Sequence, residues 1–262
     1  LGASEPLGVF DSGVGGLSVL REIRRELPHE SLVYVADSGH APYGDRPAAF
    51  IQARSVAITR FLIDAGAKAV VVACNTATGA AVELLRQTFS LPIVAIEPAV
   101  KPAVSTTRSG VVGVLGTSVT LSSANLLRLV GQYPAPGGTV MQACPGLVEQ
   151  IERGELGTPA TRALVEQYVA PLLAQAADTI VLGCTHYAFV EPLIREVAGP
   201  GVTVIDPAPA VAREVRRRLG LASLLAPETA EPVERFFTTG DLEQAARVMA
   251  QLLKQNIEVR KM

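Results

Sequence analysis

Two stretches, Val70–Thr78 (VVVACNTAT) and Ile180–Ala188 (IVLGCTHYA), decide the reading of this chain. Each is a short apolar run of the length and β-branched character of a buried strand. Each ends in a cysteine followed by two polar residues, Cys74-Asn75-Thr76 and Cys184-Thr185-His186. The likeness extends outward from both. Ile96-Glu97-Pro98-Ala99 puts Glu97 23 residues after Cys74, and Ile205-Asp206-Pro207-Ala208 puts Asp206 22 residues after Cys184. Upstream, Gly8-Val9-Phe10-Asp11-Ser12 and Gly113-Val114-Leu115-Gly116-Thr117 begin 66 and 71 residues before their cysteines. The chain reads as a duplication of one unit.

Further apolar runs at 7–10, 32–36, 92–96, 111–115 and 202–205 join 69–73 and 179–182 as predicted strands. Between them, 14–27, 47–65, 75–89, 118–130, 158–174 and 208–219 carry helix formers with apolar residues three and four apart. Strand-helix alternation implies parallel sheets covered on both faces, with ligands at the carboxyl ends of the strands. The predicted fold is α/β, with two similar three-layer lobes of mainly parallel sheet related by a pseudo-twofold axis and an active site in the cleft between them. The first lobe comprises 1–97 plus 209–262 and carries Asp11 and Cys74; the second comprises 98–208 and carries Cys184 and His186. The pairs Glu97-Pro98 and Asp206-Pro207 read as the places where the chain crosses between lobes.

With 262 residues, 48% of them hydrophobic, the chain can bury a sizeable core. A formal charge of −2 offers no basic field for nucleic acid or an anionic membrane surface. Its longest apolar runs fall far short of the roughly 20 residues a spanning helix needs. Three cysteines, an odd number in a chain this large, read as free thiols in a reducing compartment. With no basic-then-apolar leader visible, the expectation is a cytoplasmic protein acting on a small molecule, without nucleic-acid or membrane partners. A homodimer is one admissible assembly.

Two opposed thiols suit one kind of chemistry. Inverting a stereocentre that bears a weakly acidic C–H needs a base on one face and an acid on the other, and racemisation needs the two to exchange roles. A thiol titrates near ~8.5 and its neighbours can lower that value, so a thiolate and a thiol coexist near neutrality. Asp11, ending the first strand, is placed to orient Cys74, and His186 to serve Cys184. The carbanion is commonly stabilised by pyridoxal phosphate on a lysine. None of the four lysines, Lys68, Lys101, Lys254 and Lys261, follows a strand in a glycine- or serine-rich cradle. No cofactor is therefore expected, and the amides of Asp11-Ser12-Gly13-Val14-Gly15-Gly16, opening a helix, are predicted to receive a substrate carboxylate. Asn75, Thr76, Thr117 and Thr185 add polar groups at equivalent strand ends. That glycine-rich segment has Ser18 where a dinucleotide fingerprint needs its third glycine, and no lysine follows it as a P-loop requires. Scattered cysteines and histidines lack zinc-ligand spacing, so no metal is expected.

These residues resemble the bacterial glutamate racemases. The matching pieces are Gly8 to Gly16, Asp37 with Pro42-Tyr43-Gly44, Cys74-Asn75-Thr76-Ala77, Cys144-Pro145 with Glu152, Gly183-Cys184-Thr185-His186-Tyr187, and Thr239-Gly240-Asp241, in family order over nearly the whole chain. Thr78 stands where the family often has serine, which keeps a hydroxyl. The resemblance implies Cys74 and Cys184 as the catalytic acid/bases, assisted by Asp11, Glu152 and His186. It implies substrate contacts from Asp11, Ser12, Tyr43, Gly44, Asn75, Thr76, Thr117, Thr185 and His186. It also places the C-terminal stretch on the first lobe and implies D-glutamate production for peptidoglycan.

Plainer readings compete. A buried cysteine is commonly a small hydrophobe; Cys144, lacking a partner motif, reads so. Asp11 doubles as a helix cap, Glu152 rests mainly on the resemblance, His29 reads as a solvated loop residue, and His40 has no assigned role. Rival functions are a racemase of aspartate or another acidic amino acid, a lyase or isomerase using one cysteine, and a non-catalytic interaction protein on the same scaffold.

Overall fold

The computed structural model describes residues 2–262. Strands β1 (Leu7–Asp11), β2 (Leu32–Ala36), β3 (Ala69–Val72) and β4 (Ile93–Ala95) lie in the order β2-β1-β3-β4. Strands β5 (Val111–Gly116), β6 (Gly138–Ala143), β7 (Thr179–Leu182) and β8 (Thr203–Ile205) form a second sheet in the order β6-β5-β7-β8. The duplication read from two cysteine motifs is thus repeated in topology: in each sheet the first strand is central and the cysteine follows the third. Two late strands, β9 (Glu234–Thr238) and β10 (Val259–Lys261), extend the first sheet beyond β2. Every strand pair is parallel.

Alternation along the buried strands distributes side chains to two cores. Leu7 and Val9 of β1, Tyr34 of β2 and Val71 of β3 join a core that continues into the second sheet through Leu115, Ile180 and Leu182. Phe10, Val33, Val35, Val70 and Val72 face the opposite side, beneath α2 (Ala48–Asp64) and α3 (Asn75–Thr88). Helix α1 (Leu17–Glu26) covers the first sheet's other face together with α10 (Ala208–Leu221). Between them, α4 (Val100–Thr106) leads from β4 to the second sheet, and α10 leads back from β8. No helix among the described residues is long and apolar enough to cross a membrane.

Some predicted elements change. The expected helix 14–27 starts at Leu17, because Ser12–Gly16 forms a turn. The expected helix 118–130 is two helices, α5 (Ser118–Leu121) and α6 (Ala124–Gln132). Ser123 breaks it by leaving helical geometry (ψ 140°) and accepting the Leu126 N–H on its hydroxyl at 3.3 Å, an N-cap that competes with helix continuation. Short helices α7 (Leu147–Glu152) and α9 (Glu191–Ala198), the longer α8 (Pro159–Ala174) and the terminal α11 (Leu242–Leu253) complete the set. His29 lies in the turn between α1 and β2, as read, and is half-buried there with Nδ1 3.4 Å from the Ala230 carbonyl.

Asp206, at the return crossing, accepts the Ala208 N–H at 2.9 Å. Burial first, then the charges of Glu191 and Glu22, push its carboxyl up to about 6 from 3.8. A raised carboxyl destabilises the folded state where it must ionise: the penalty is absent below the unfolded value and complete above pH 6, at most ~3 kcal/mol. Asp206→Asn keeps the capping oxygen and removes the charge. Its midpoint in denaturant should exceed wild type at pH 8 and equal it at pH 3; a variant that gains nothing at pH 8 contradicts this account.

Candidate active site

The carboxyl ends of both sheets meet around one cavity, lined by both Cys74 and Cys184. The cavity is small, about 10 Å³, so an amino acid enters only if the walls part. Of the residues predicted for the site, Ser12, Tyr43, Gly44, Asn75, Thr76, Thr117, Thr185 and His186 line it with the cysteines. Asp11 and Glu152 do not; they stand behind the lining and act on it.

Cys74 follows β3 and is the N-cap of α3, its Sγ accepting the Ala77 N–H at 3.4 Å. A helix N-terminus favours a thiolate. Here burial first, and then the Asp11 charge, outweigh it and push the thiol's pKa well above its usual value, so Cys74 is protonated. Its S–H donates to Ser12 Oγ at 3.7 Å, and that hydroxyl donates to Asp11 Oδ1 at 3.1 Å. Asp11 Oδ2 accepts from Thr185 Oγ1 at 3.1 Å, so a carboxylate on β1 touches the motifs of both cysteines. Burial raises the Asp11 carboxyl against the lowering influence of His186.

Cys184 has the opposite surroundings. Its Sγ lies 3.7 Å from His186 Nδ1, and His186 Nε2 lies 2.6 Å from Glu152 Oε1. Burial disfavours the imidazolium, but the hydrogen bonds to Cys184 and Glu152 and the charges of Cys184 and Asp11 overcome it and hold His186 well above its ordinary pKa. The two thiols thus have partners of opposite charge, the His186 imidazolium beside Cys184 and the Asp11 carboxylate beside Cys74.

The glycine-rich turn has a different occupant from the one predicted. The Val14 N–H donates to Glu152 Oε1 at 2.7 Å, and Ser12 N–H donates to Asp11 Oδ1 at 2.6 Å. Two of the amides expected to receive a substrate carboxylate are therefore taken by the protein's own carboxylates. Gly13 is required by this approach, since a Cβ there would stand 1.9 Å from Glu152 Oε1. Asn75, by contrast, is open for ligand: its side-chain oxygen and nitrogen are buried at the cavity without a partner. Buried amides are normally paired, and this one presents a donor and an acceptor to whatever fills the space.

Thr120 was not identified from the sequence, nor was the supporting role of Asp37. Thr76, Thr117 and Thr120 form a triangle of hydroxyls 3.0 to 3.1 Å apart that ties α3 to α5. Asp37, quoted above only as a matching residue, accepts the Tyr43 hydroxyl at 2.5 Å, Arg54 through two nitrogens at 2.8 and 3.0 Å, and Thr239 Oγ1 at 2.8 Å. Burial opposes its charge, but these donors hold the carboxyl below its usual value. His40 Nδ1 lies 2.9 Å from the same carboxylate, which gives that histidine a place. This hub fixes the loop that brings Pro42, Tyr43 and Gly44 to the cavity; Pro42, quoted above only as a matching residue, lines it too, and Val148 is a lining residue that no motif indicated. Cys144 is buried, donates to the Gln142 carbonyl at 3.5 Å and is pushed up to about 12, mainly by burial.

Comparison with known proteins adds to this geometry. A family profile described as Asp/Glu/Hydantoin racemase matches residues 7–215. The chain is 55% identical over 251 residues to a glutamate racemase of Methylococcus capsulatus, covering 96% of this chain and 93% of that protein. Its fold is similar to that of a glutamate racemase isoform from Bacillus anthracis, with TM-score 0.90 and 35% identity over 98% of this chain and 97% of the other. It is also similar to Escherichia coli glutamate racemase, solved in complex with L-glutamate and the activator UDP-MurNAc-ala, with TM-score 0.85, 31% identity and 98% coverage of each chain.

Proposed function

The chain belongs to the Asp/Glu/Hydantoin racemase family, and from that premise we propose that it interconverts L- and D-glutamate by passing the α-proton between Cys74 and Cys184. Its reaction is a racemisation, its ligand a small amino acid rather than a nucleic acid or a membrane, and its D-enantiomer product the form that peptidoglycan synthesis consumes. The observation that carries the mechanism is that two cysteines from duplicated strands line one cavity with opposite electrostatic partners. Cys184, beside the His186 imidazolium, acts as thiolate: it takes the α-hydrogen as a proton, leaving the electron pair on carbon. Cys74 acts as thiol and delivers its proton to the opposite face. The cycle ends with Cys184 protonated and Cys74 a thiolate, the state that accepts the other enantiomer. Asp11 takes no proton in this step; through Ser12 and Thr185 it positions the motifs of both cysteines, and Asn75 with Thr76, Thr117 and Thr185 binds the substrate's polar groups. Residues 1–97 plus 209–262 and residues 98–208 act as the two lobes, parting to admit substrate and closing to exclude water from the developing carbanion.

The test is proton bookkeeping in deuterated water, on protein stripped of metal and pyridoxal phosphate. At low conversion L-glutamate should yield D-glutamate with deuterium at Cα, while the remaining L-glutamate stays unlabelled, because the base that removes a proton is not the acid that supplies one. Product that keeps its original hydrogen would mean a single base and defeat the mechanism. L-Aspartate run in parallel should turn over more slowly; equal or faster turnover would favour the aspartate reading.

A further inference from the structure

Glu152 has three tasks at once, accepting from Val14 N–H at 2.7 Å and Ser38 Oγ at 3.0 Å while meeting His186 Nε2 at 2.6 Å. It is the last residue of the six-residue helix α7, followed by Arg153 and by Gly154 at φ 78°. A short helix ends in carbonyls without intrahelical partners, and here three consecutive ones are met by α11. Gln244 Nε2 donates to the Glu152 carbonyl at 3.3 Å, the Arg247 guanidinium to the Arg153 carbonyl at 3.4 Å, and Gln251 Nε2 to the Gly154 carbonyl at 2.9 Å. Spacings of three and four put Gln244, Arg247 and Gln251 on one strip of the helix. Its other strip, Ala245, Val248, Met249 and Leu252, is anchored in the core.

Packing does part of this job: Leu147, Val148 and Ile151 of α7 share one core with Ala245, Val248, Met249 and Leu252 of α11. At the end of α7, however, a cavity of about 220 Å³ opens between the two elements, with Val148 and Glu152 on one wall and Gln244, Ala245 and Val248 on the other. There the hydrogen bonds span the gap. Helix α11 follows β9 of the six-stranded sheet, and α7 follows β6 of the four-stranded one, so the three bonds join the two halves of the molecule.

We propose that α11 is a clasp that sets the position of Glu152, making Gln244, Arg247 and Gln251 positioning residues for the proton transfer at Cys184. This rests on the reading that Cys184 works through His186 and Glu152. The clasp bears more directly on one thiol than on the other, since Glu152 meets the partner of Cys184, His186, whereas Cys74 draws its own hydrogen bonds from Ser12, Asp11 and the start of α3. That asymmetry gives the test its readout.

The experiment compares wild type, the triple variant Gln244→Ala/Arg247→Ala/Gln251→Ala, and Glu152→Gln, using L- and D-glutamate with protium or deuterium at Cα. All three substitutions in the triple variant are at exposed positions, and a thermal melt checks that it folds. Its kcat should fall about tenfold, the rate equivalent of 1.36 kcal/mol. The isotope effect should rise for the enantiomer whose hydrogen Cys184 removes and fall toward one for the other, because the Cys184 step limits both directions. A donor-keeping variant, Gln244→Lys/Gln251→Lys with Arg247 intact, should restore most of the rate. A merely structural role would lower stability and leave the two isotope effects together, and that result overturns the proposal. A triple variant matching wild type while Glu152→Gln separates the isotope effects also overturns the clasp and leaves the site reading standing. If Glu152→Gln separates nothing, the role of Glu152 fails and the clasp falls with it.

Discussion

Cys74→Ser and Cys184→Ser will each lose racemisation by a factor on the order of 10²–10⁴, the range a positioned acid or base contributes, while losing solvent exchange in complementary ways. The reasoning is stereochemical. With one thiol replaced by a hydroxyl that titrates far higher, the surviving cysteine still reaches one face of Cα. It removes the hydrogen from the enantiomer that presents it on that face, exchanges with solvent and returns a deuteron to the same side. Each variant should therefore slowly label one enantiomer without inverting it, and the two should label opposite enantiomers. Proton NMR of the α-signal in deuterated water, with chiral separation, reads both quantities. Full racemisation by either variant ends the two-thiol mechanism. Loss in one variant with mild weakening in the other would instead support chemistry that uses a single cysteine. The surroundings are unequal: burial and Asp11 push the Cys74 thiol up, while Cys184 has the raised His186 imidazole as its neighbour.

What the sequence disclosed and what it hid follow from the range of the interactions. Strands β1, β3 and β7 are buried along their whole length, so apart from Asp11 at the end of β1 and Thr179 at the start of β7 they carry no polar side chain, and polar residues follow soon after each. That is why Cys74, Cys184 and the polar residues beside them could be placed at one site from spacing alone. Strand β6, at a sheet edge and nowhere fully buried, mixes threonine and glutamine with its apolar residues and shows no such run. The strand β9 was missed for a related reason, since Glu234 and Arg235 open it. Glu152 was legible only by resemblance, because its partner Val14 is 138 positions away and a glutamate ending a short helix looks like any solvated one. The same distance hid the three hydrogen bonds from α11, each between residues more than ninety positions apart. Asp37 shows the other limit: its neighbours in sequence, Ser38 and Gly39, suggest a turn, whereas its function as a hub depends on Arg54 and Thr239 from other elements.

At the opposite, amino-terminal end of the first sheet, Lys68→Met should cost about 3–5 kcal/mol of stability without touching kcat. Lys68 and Glu30 precede β3 and β2, are 0% and 2% exposed, and bring Nζ within 2.5 Å of Oε2. Lys68 also donates to the Ala3 carbonyl, and Glu30 Oε1 accepts the Ala226 N–H at 2.8 Å, so the pair ties chain segments from both ends of the protein to the sheet. Removing the lysine leaves a carboxylate in a dry site with its charge unopposed. A melting temperature lower by on the order of 10 °C follows for a chain of this size. Removing both charges reverses the logic: Lys68→Met/Glu30→Leu leaves no buried ion, and an apolar pair of similar volume is often as stable as the ionic one it replaces. The double variant should therefore recover most of what Lys68→Met loses, short of the bond to Ala226. If the double variant melts lower than Lys68→Met, the pair itself, rather than the penalty of an orphaned charge, stabilises the fold, and the electrostatic argument is wrong.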